Sequence, residues 1–77
     1  MEISKFIEEF INILEDTDPS TIKADTIFRN IGEWDSLIAL SLIAMVDEQF
    51  SVKLSGDDIK TSATINDLFE KVKLKIV

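Results

Sequence analysis

Apolar residues recur along this chain at helical rather than strand spacing. Between residues 3 and 15, Ile3, Phe6, Ile7, Phe10 and Leu14 follow the i, i+3, i+4, i+7 pattern. At about 100° per residue they share one arc, while Glu2, Lys5, Glu8, Glu9, Asn12 and Glu15 take the other. The pattern predicts an amphipathic helix over 3–15, ending near EDTDPS, where Pro19 forbids simple continuation. Residues 16–35 then form a connection of unusual length for a small domain, and such loops are often functional. It carries Ile22, Ile27, Phe28 and Ile31, which are expected to pin it to the core. A single helical turn fits around residues 26–30.

The next segment, SLIALSLIAMVDEQF, predicts a helix over 36–50 that is apolar on nearly every side. Ala39, Leu42, Ile43, Val46 and Phe50 make a complete core stripe. Ser36, Leu37, Leu40 and Ala44 lie on the opposite arc, with Ser41, Asp47 and Glu48 around them and Ile38 and Met45 on the flank. Further on, Ser55 with Asp58 and Thr64 with Asp67 are capping signals. The first opens a short helix near 56–61. The second opens a last helix over 65–75 whose stripe is Ile65, Leu68, Phe69, Val72 and Ile76. Lys71, Lys73 and Lys75 complement the dipole at its C-terminal end. No strand is expected. The fold class is all-α: a small four-helix bundle, three main helices and one short one, in a single domain spanning 1–77.

Composition narrows the chemistry. The 77 residues hold fifteen acids against eight bases, a formal charge of -7 that repels nucleic acid and anionic membranes and favours basic partners. No apolar run approaches the ~20 residues of a membrane span, and MEISKFIEEF is not expected to act as a signal peptide. A cytoplasmic monomer is the expectation. The chain has no His and no Cys, so it cannot build a Ser-His-Asp or Cys-His nucleophile, and the usual zinc sites are not expected. Two glycines, Gly32 and Gly56, are too few for a phosphate-cradling glycine loop. Asp57-Asp58 and Asp47-Glu48 lack the spacing of a calcium loop, and no metal site is predicted.

The candidate chemistry therefore gathers where the loop meets the second helix. A helix start offers unpaired N–H groups and partial positive charge, a seat for an anion. Either Asp35 or Ser36 can cap it. Ser36 is a plain cap, or it carries a phosphodiester on a hydroxyl that faces away from the core stripe. Phosphorylation by a kinase is a third use of the same serine. Any chemistry at Ser36 needs a base from another protein. Trp34, the only tryptophan, either anchors the loop or meets a ligand or partner.

The segment DTIFRNIGEWDSLIAL resembles the attachment segment of the acyl carrier protein family, through Asp25, Phe28, Ile31, Gly32, Asp35, Ser36 and Leu37. The likeness continues through VDEQFSVKLSGDDI and TINDLFEKV and so covers essentially the whole chain. It implies a non-catalytic four-helix carrier. Ser36 would receive 4'-phosphopantetheine from coenzyme A, with Asp35 supporting the attachment, and the arm's thiol would hold acyl or aminoacyl groups as thioesters. The implied partners are a phosphopantetheinyl transferase and acyl-activating and acyl-transfer enzymes. Leu37, Leu40 and Ala44, rimmed by Asp47 and Glu48, then read as a docking strip. Fatty-acid carriers of this family typically place several acids just after the serine, whereas this chain has none until Asp47. A dedicated partner with a more apolar contact, in a specialised pathway, is the expectation. The alternative is a cofactor-free helical interaction domain that docks through the same Leu37 and Leu40 face.

Overall fold

The computed structural model describes residues 2–76. Its four α-helices are α1 (Ile3–Asn12), α2 (Ser36–Phe50), α3 (Gly56–Lys60) and α4 (Ile65–Lys75), with 3-10 turns at Pro19–Thr21 and Phe28–Asn30. Among the described residues there is no β-strand, only an isolated antiparallel bridge between Ile27 and Thr64. Helix α1 packs on α2 and α4, and α3 packs on both α2 and α4. The core is a single cluster centred on Phe6, Phe10, Phe28, Leu42, Val46, Ile65, Leu68 and Val72. Phe6 lies 6.0 Å from both Phe50 and Phe69, so aromatic rings join three helices at one point.

Helix α1 stops three residues before the predicted end. The cause is Glu33, on the far side of the loop. Its carboxylate accepts the N–H groups of Glu15 and Asp16, at 2.6 and 2.9 Å, and the Thr17 hydroxyl at 2.8 Å. Those N–H groups are diverted from the carbonyls that would continue the helix. Ile13 and Leu14 close the end with tighter bonds to Phe10 and Ile11.

Both predicted capping boxes form. In each, the Ser55 or Thr64 hydroxyl accepts the N–H three residues on, and the Asp58 or Asp67 carboxylate accepts the N–H of the cap. The lysines of α4 do more than complement a dipole. Lys71 Nζ donates to the Asp58 carbonyl and the Thr61 hydroxyl, and Lys75 Nζ lies 2.9 Å from the Asp58 carboxylate. Together they strap the five-residue α3 to α4. The Ser55 N–H and the Lys75 ammonium hold the Asp58 carboxyl down at about 2.

Candidate functional site

The loop is shaped by three ties before it reaches α2. Phe28 and Ile31 are buried as predicted, and so is Ile22. Trp34 stacks on Phe10, with rings 6.4 Å apart and nearly parallel, and meets Phe28 edge-on at 4.8 Å. It is therefore a loop anchor. The backbone of the loop also joins α4: Ile65 N–H donates to Thr26 and Asn66 N–H to Ala24, at 3.1 and 2.9 Å. Arg29 completes the tie. Its guanidinium donates to the carbonyls of Ile59, Lys60 and Ser62, satisfying the free C-terminal end of α3, and lies over the Phe28 ring. Ile27 departs from expectation. It is 47% exposed, because the bridge to Thr64 turns its side chain outward while its neighbour Phe28 turns in.

The chain then enters α2. Asp35, in extended conformation, is the N-cap, and its carboxylate accepts the Ile38 N–H at 2.8 Å. Its carbonyl accepts the Ala39 N–H at 3.0 Å. Ser36 is thus the first residue of the helix rather than its cap. Among the described residues, the N–H groups of Ser36 and Leu37 have no acceptor and the Ser36 hydroxyl has no partner. Ser36 is exposed. Two free donors at a helix start, with the positive end of the dipole behind them, form a place where an anion is favoured.

The outer arc of α2 runs away from this point. Leu37 is 70% exposed and Leu40 62% exposed, and Ser41 and Ala44 are exposed as well. Buried residues on the other side are Leu42, Met45 and Val46, with Ala39, Ile43 and Phe50 half-buried against them. Met45, assigned to the flank, is core. Helix α2 contacts both α1 and α3, so its buried arc is wider than one stripe. From Ser36 to Val46 the helix carries no charge. The rim acids differ from each other: Asp47 pairs with Lys53 at 2.6 Å, whereas Glu48 is exposed with no ion pair among the described residues.

Asp35 is the cap of α2, and Ser36, Leu37, Leu40 and Ala44 are exposed on the arc where the sequence pattern placed them. Glu33 and Arg29, which hold the loop in shape, were not among the residues singled out from the sequence. The Glu33 carboxyl is lowered from its ordinary value, chiefly by the Glu15 and Asp16 N–H groups. No signal in the sequence marks either residue, since their partners lie 16 to 33 positions away.

A helical bundle with an open helix start and a free serine hydroxyl upon it suits a phosphorylated group held at a side chain. The chain belongs to the phosphopantetheine attachment site family, whose model it matches over residues 4–72. Comparison with curated proteins gives no match. Domains of this family take 4'-phosphopantetheine covalently and are generally carriers rather than catalysts. The residues present fit the group: a free hydroxyl for the ester bond, and two unpaired N–H groups for the phosphodiester oxygens. When bound, the arm supplies a thiol that holds an acyl group as a thioester. No cluster of three metal-ligating side chains occurs among the described residues, and no helix there is long and apolar enough to cross a membrane.

Proposed function

We propose that the chain is a single acyl or aminoacyl carrier domain, with Ser36 as the attachment point of its 4'-phosphopantetheine arm. One observation carries this reading: Ser36 joins an unpartnered, exposed hydroxyl to two unsatisfied backbone donors. In the loading step the Ser36 Oγ attacks the pantetheine-side phosphorus of coenzyme A. A P–O bond of the pyrophosphate breaks, adenosine 3',5'-bisphosphate leaves, and the serine proton passes to a base of the transferase. This chain has no histidine or cysteine to take it. Asp35 supports the step by fixing the first turn through Ile38, which leaves Ser36 facing outward.

Partner enzymes grip the strip of Leu37, Leu40 and Ala44, and the hydroxyl lies within the same grip. Asp47 and Glu48 stand at its far end. No charge lies on α2 between Ser36 and Val46, and Asp47 at the far end stands beside Lys53, so this face offers partners a mainly apolar contact, which suits a dedicated partner of a specialised pathway more than a basic patch. The carrier acts as a cytoplasmic monomer.

The test is intact mass after incubation with coenzyme A and a broad-specificity transferase. Wild type should gain one phosphopantetheine, Ser41→Ala and Ser55→Ala likewise, and Ser36→Ala none. A Ser36→Ala protein that still gains the arm overturns the assignment. A wild type that never gains it favours the cofactor-free interaction domain.

A further inference from the structure

Attachment at Ser36 fixes only one end of the arm. Resting on that reading, we infer that the remainder lies over Gly32, in a groove on the outer side of the loop. The groove has a volume of about 430 Å³ and is lined by residues that include Asp25, Ile27, Asn30, Ile31 and Gly32. A second hollow, bounded by Asp16 and Glu33, adjoins it and shares Thr17 and Gly32.

Gly32 is the saddle between the two hollows. Its backbone is not left-handed, and a Cβ built there meets no atom within 4 Å. The fold itself thus gives no reason for a glycine, whereas anything crossing the saddle needs the space that a side chain would fill. The saddle is within reach. Gly32 and Ser36 are four residues apart, at most ~14 Å along extended chain, and the Trp34 N–H to Ile31 carbonyl turn shortens that. The arm, over a dozen bonds of about 1.3–1.5 Å, extends roughly 15 Å.

The lining matches the arm's chemistry. Pantetheine alternates a geminal dimethyl group and methylenes with a hydroxyl and two amides. Ile27, turned outward by its bridge to Thr64, supplies an apolar surface that is 47% exposed. The Asp25 carboxylate and Asn30 amide are exposed, with no side-chain hydrogen bond among the described residues, and can meet amide N–H and carbonyl groups. The threonine hydroxyls of the groove are already committed: Thr17 to Glu33, Thr21 to the Asp18 carbonyl and Thr26 to the Thr21 carbonyl. The wall is preformed, because Thr26 and Ala24 are bonded to the start of α4.

The experiment compares amide correlation spectra of isotope-labelled protein before and after loading by coenzyme A and a broad-specificity transferase, with intact mass proving that the arm is on. Amides of residues 35–38 should shift with the phosphate alone. The groove adds shifts at Asp25, Ile27, Asn30 and Gly32, and nuclear Overhauser contacts between the arm's geminal methyls and Ile27. Gly32→Val should melt like wild type and, once loaded, lose those shifts and contacts. If that variant melts early, Ile27→Ser, at a half-exposed position, carries the same test through the Asp25 and Asn30 shifts. A fully loaded protein whose shifts stop at residue 38, or run instead along Leu40 to Ala44, overturns the groove and leaves the attachment reading standing. A wild type that gains no mass overturns both.

Discussion

Two helix starts in this molecule use the same type of cap and end differently. At α4 every N–H of the first turn is satisfied: Ile65 by Thr26, Asn66 by Ala24, Asp67 by the Thr64 hydroxyl and Leu68 by the Thr64 carbonyl. At α2 the last two of the four are satisfied, both by Asp35, and the first two, on Ser36 and Leu37, are left open. The faces follow suit. Helix α4 buries Ile65, Leu68, Phe69 and Val72, while α2 buries one side and presents Leu37 and Leu40 on the other. A closed start is structure, and an open one keeps donors in reserve. That difference, more than hydrophobicity, separates the helix that holds the bundle from the helix proposed to bear the site.

The comparison breaks most sharply under loading. Ser36→Ala should abolish arm attachment completely, and Thr64→Ala should leave it intact, both read by intact mass. The stability ranking should run the other way. Because the Ser36 hydroxyl makes no bond, Ser36→Ala should shift stability by no more than ~0.5 kcal/mol, whereas Thr64→Ala, removing a formed box, should cost about 1–2 kcal/mol in denaturant melts. Equal costs at the two positions would mean that the two starts are not different in kind.

Core and strip give the next contrast. Leu68→Ala, at a fully buried site, should cost ~2–5 kcal/mol. Leu40→Asp should cost under about 1 kcal/mol, mostly helix propensity, while weakening loading or transfer. An unfolded Leu40→Asp protein would show that the outer arc is core.

Acid should act through the carboxylates that hold backbone N–H groups, one of them at the closed start. Glu33 and Asp67 sit below the ordinary carboxylate range because backbone N–H groups bond to their ionised forms, and Asp58 lies at about 2. A carboxyl depressed in the folded state stabilises above its unfolded pKa and loses that contribution as pH falls through the folded one. The melting temperature should therefore drop below about pH 4 and go on dropping toward pH 2, as Asp58 protonates. Asp67→Asn, which cannot titrate, should flatten part of that drop. The smallest effect expected is at the foot of the outer arc. The Asp47–Lys53 pair is exposed, so Lys53→Ala should change stability by ~0–1 kcal/mol.

Much of this was legible in the sequence. Helix positions follow from apolar spacing, and both boxes follow from a hydroxyl and an acid three apart. Asp35, Ser36 and the Leu37–Leu40 strip follow from the segment that resembles the family. Residues whose role depends on a distant partner were not legible. Glu33 looks like any loop acid until its carboxylate meets Glu15 and Asp16. Met45 was placed on the flank rather than in the core, because α2 is apolar almost all round and periodicity cannot say how wide an arc two neighbouring helices cover. Ile27 and Ile76 look like core by composition. The first is turned out by its bridge, and the second lies past the end of α4 in extended backbone, 43% exposed. Asp47, expected as a free rim charge, is spent on Lys53.

The Arg29 tie has a consequence for how the motif can be handled. Its three acceptors are the carbonyls of residues 59, 60 and 62, and the neighbouring backbone leans on residues 64–66. The bend that carries Ser36 is thus held by residues 59–66, far along the chain from it. A synthetic peptide cut from residues 24–40 would spell the whole signature without its shape, since every long tie would lose its partner: Arg29 its three carbonyls, and Ala24, Thr26 and Glu33 the groups that donate to them. Grafting this tag onto another scaffold therefore means carrying α3 and the start of α4 along with it.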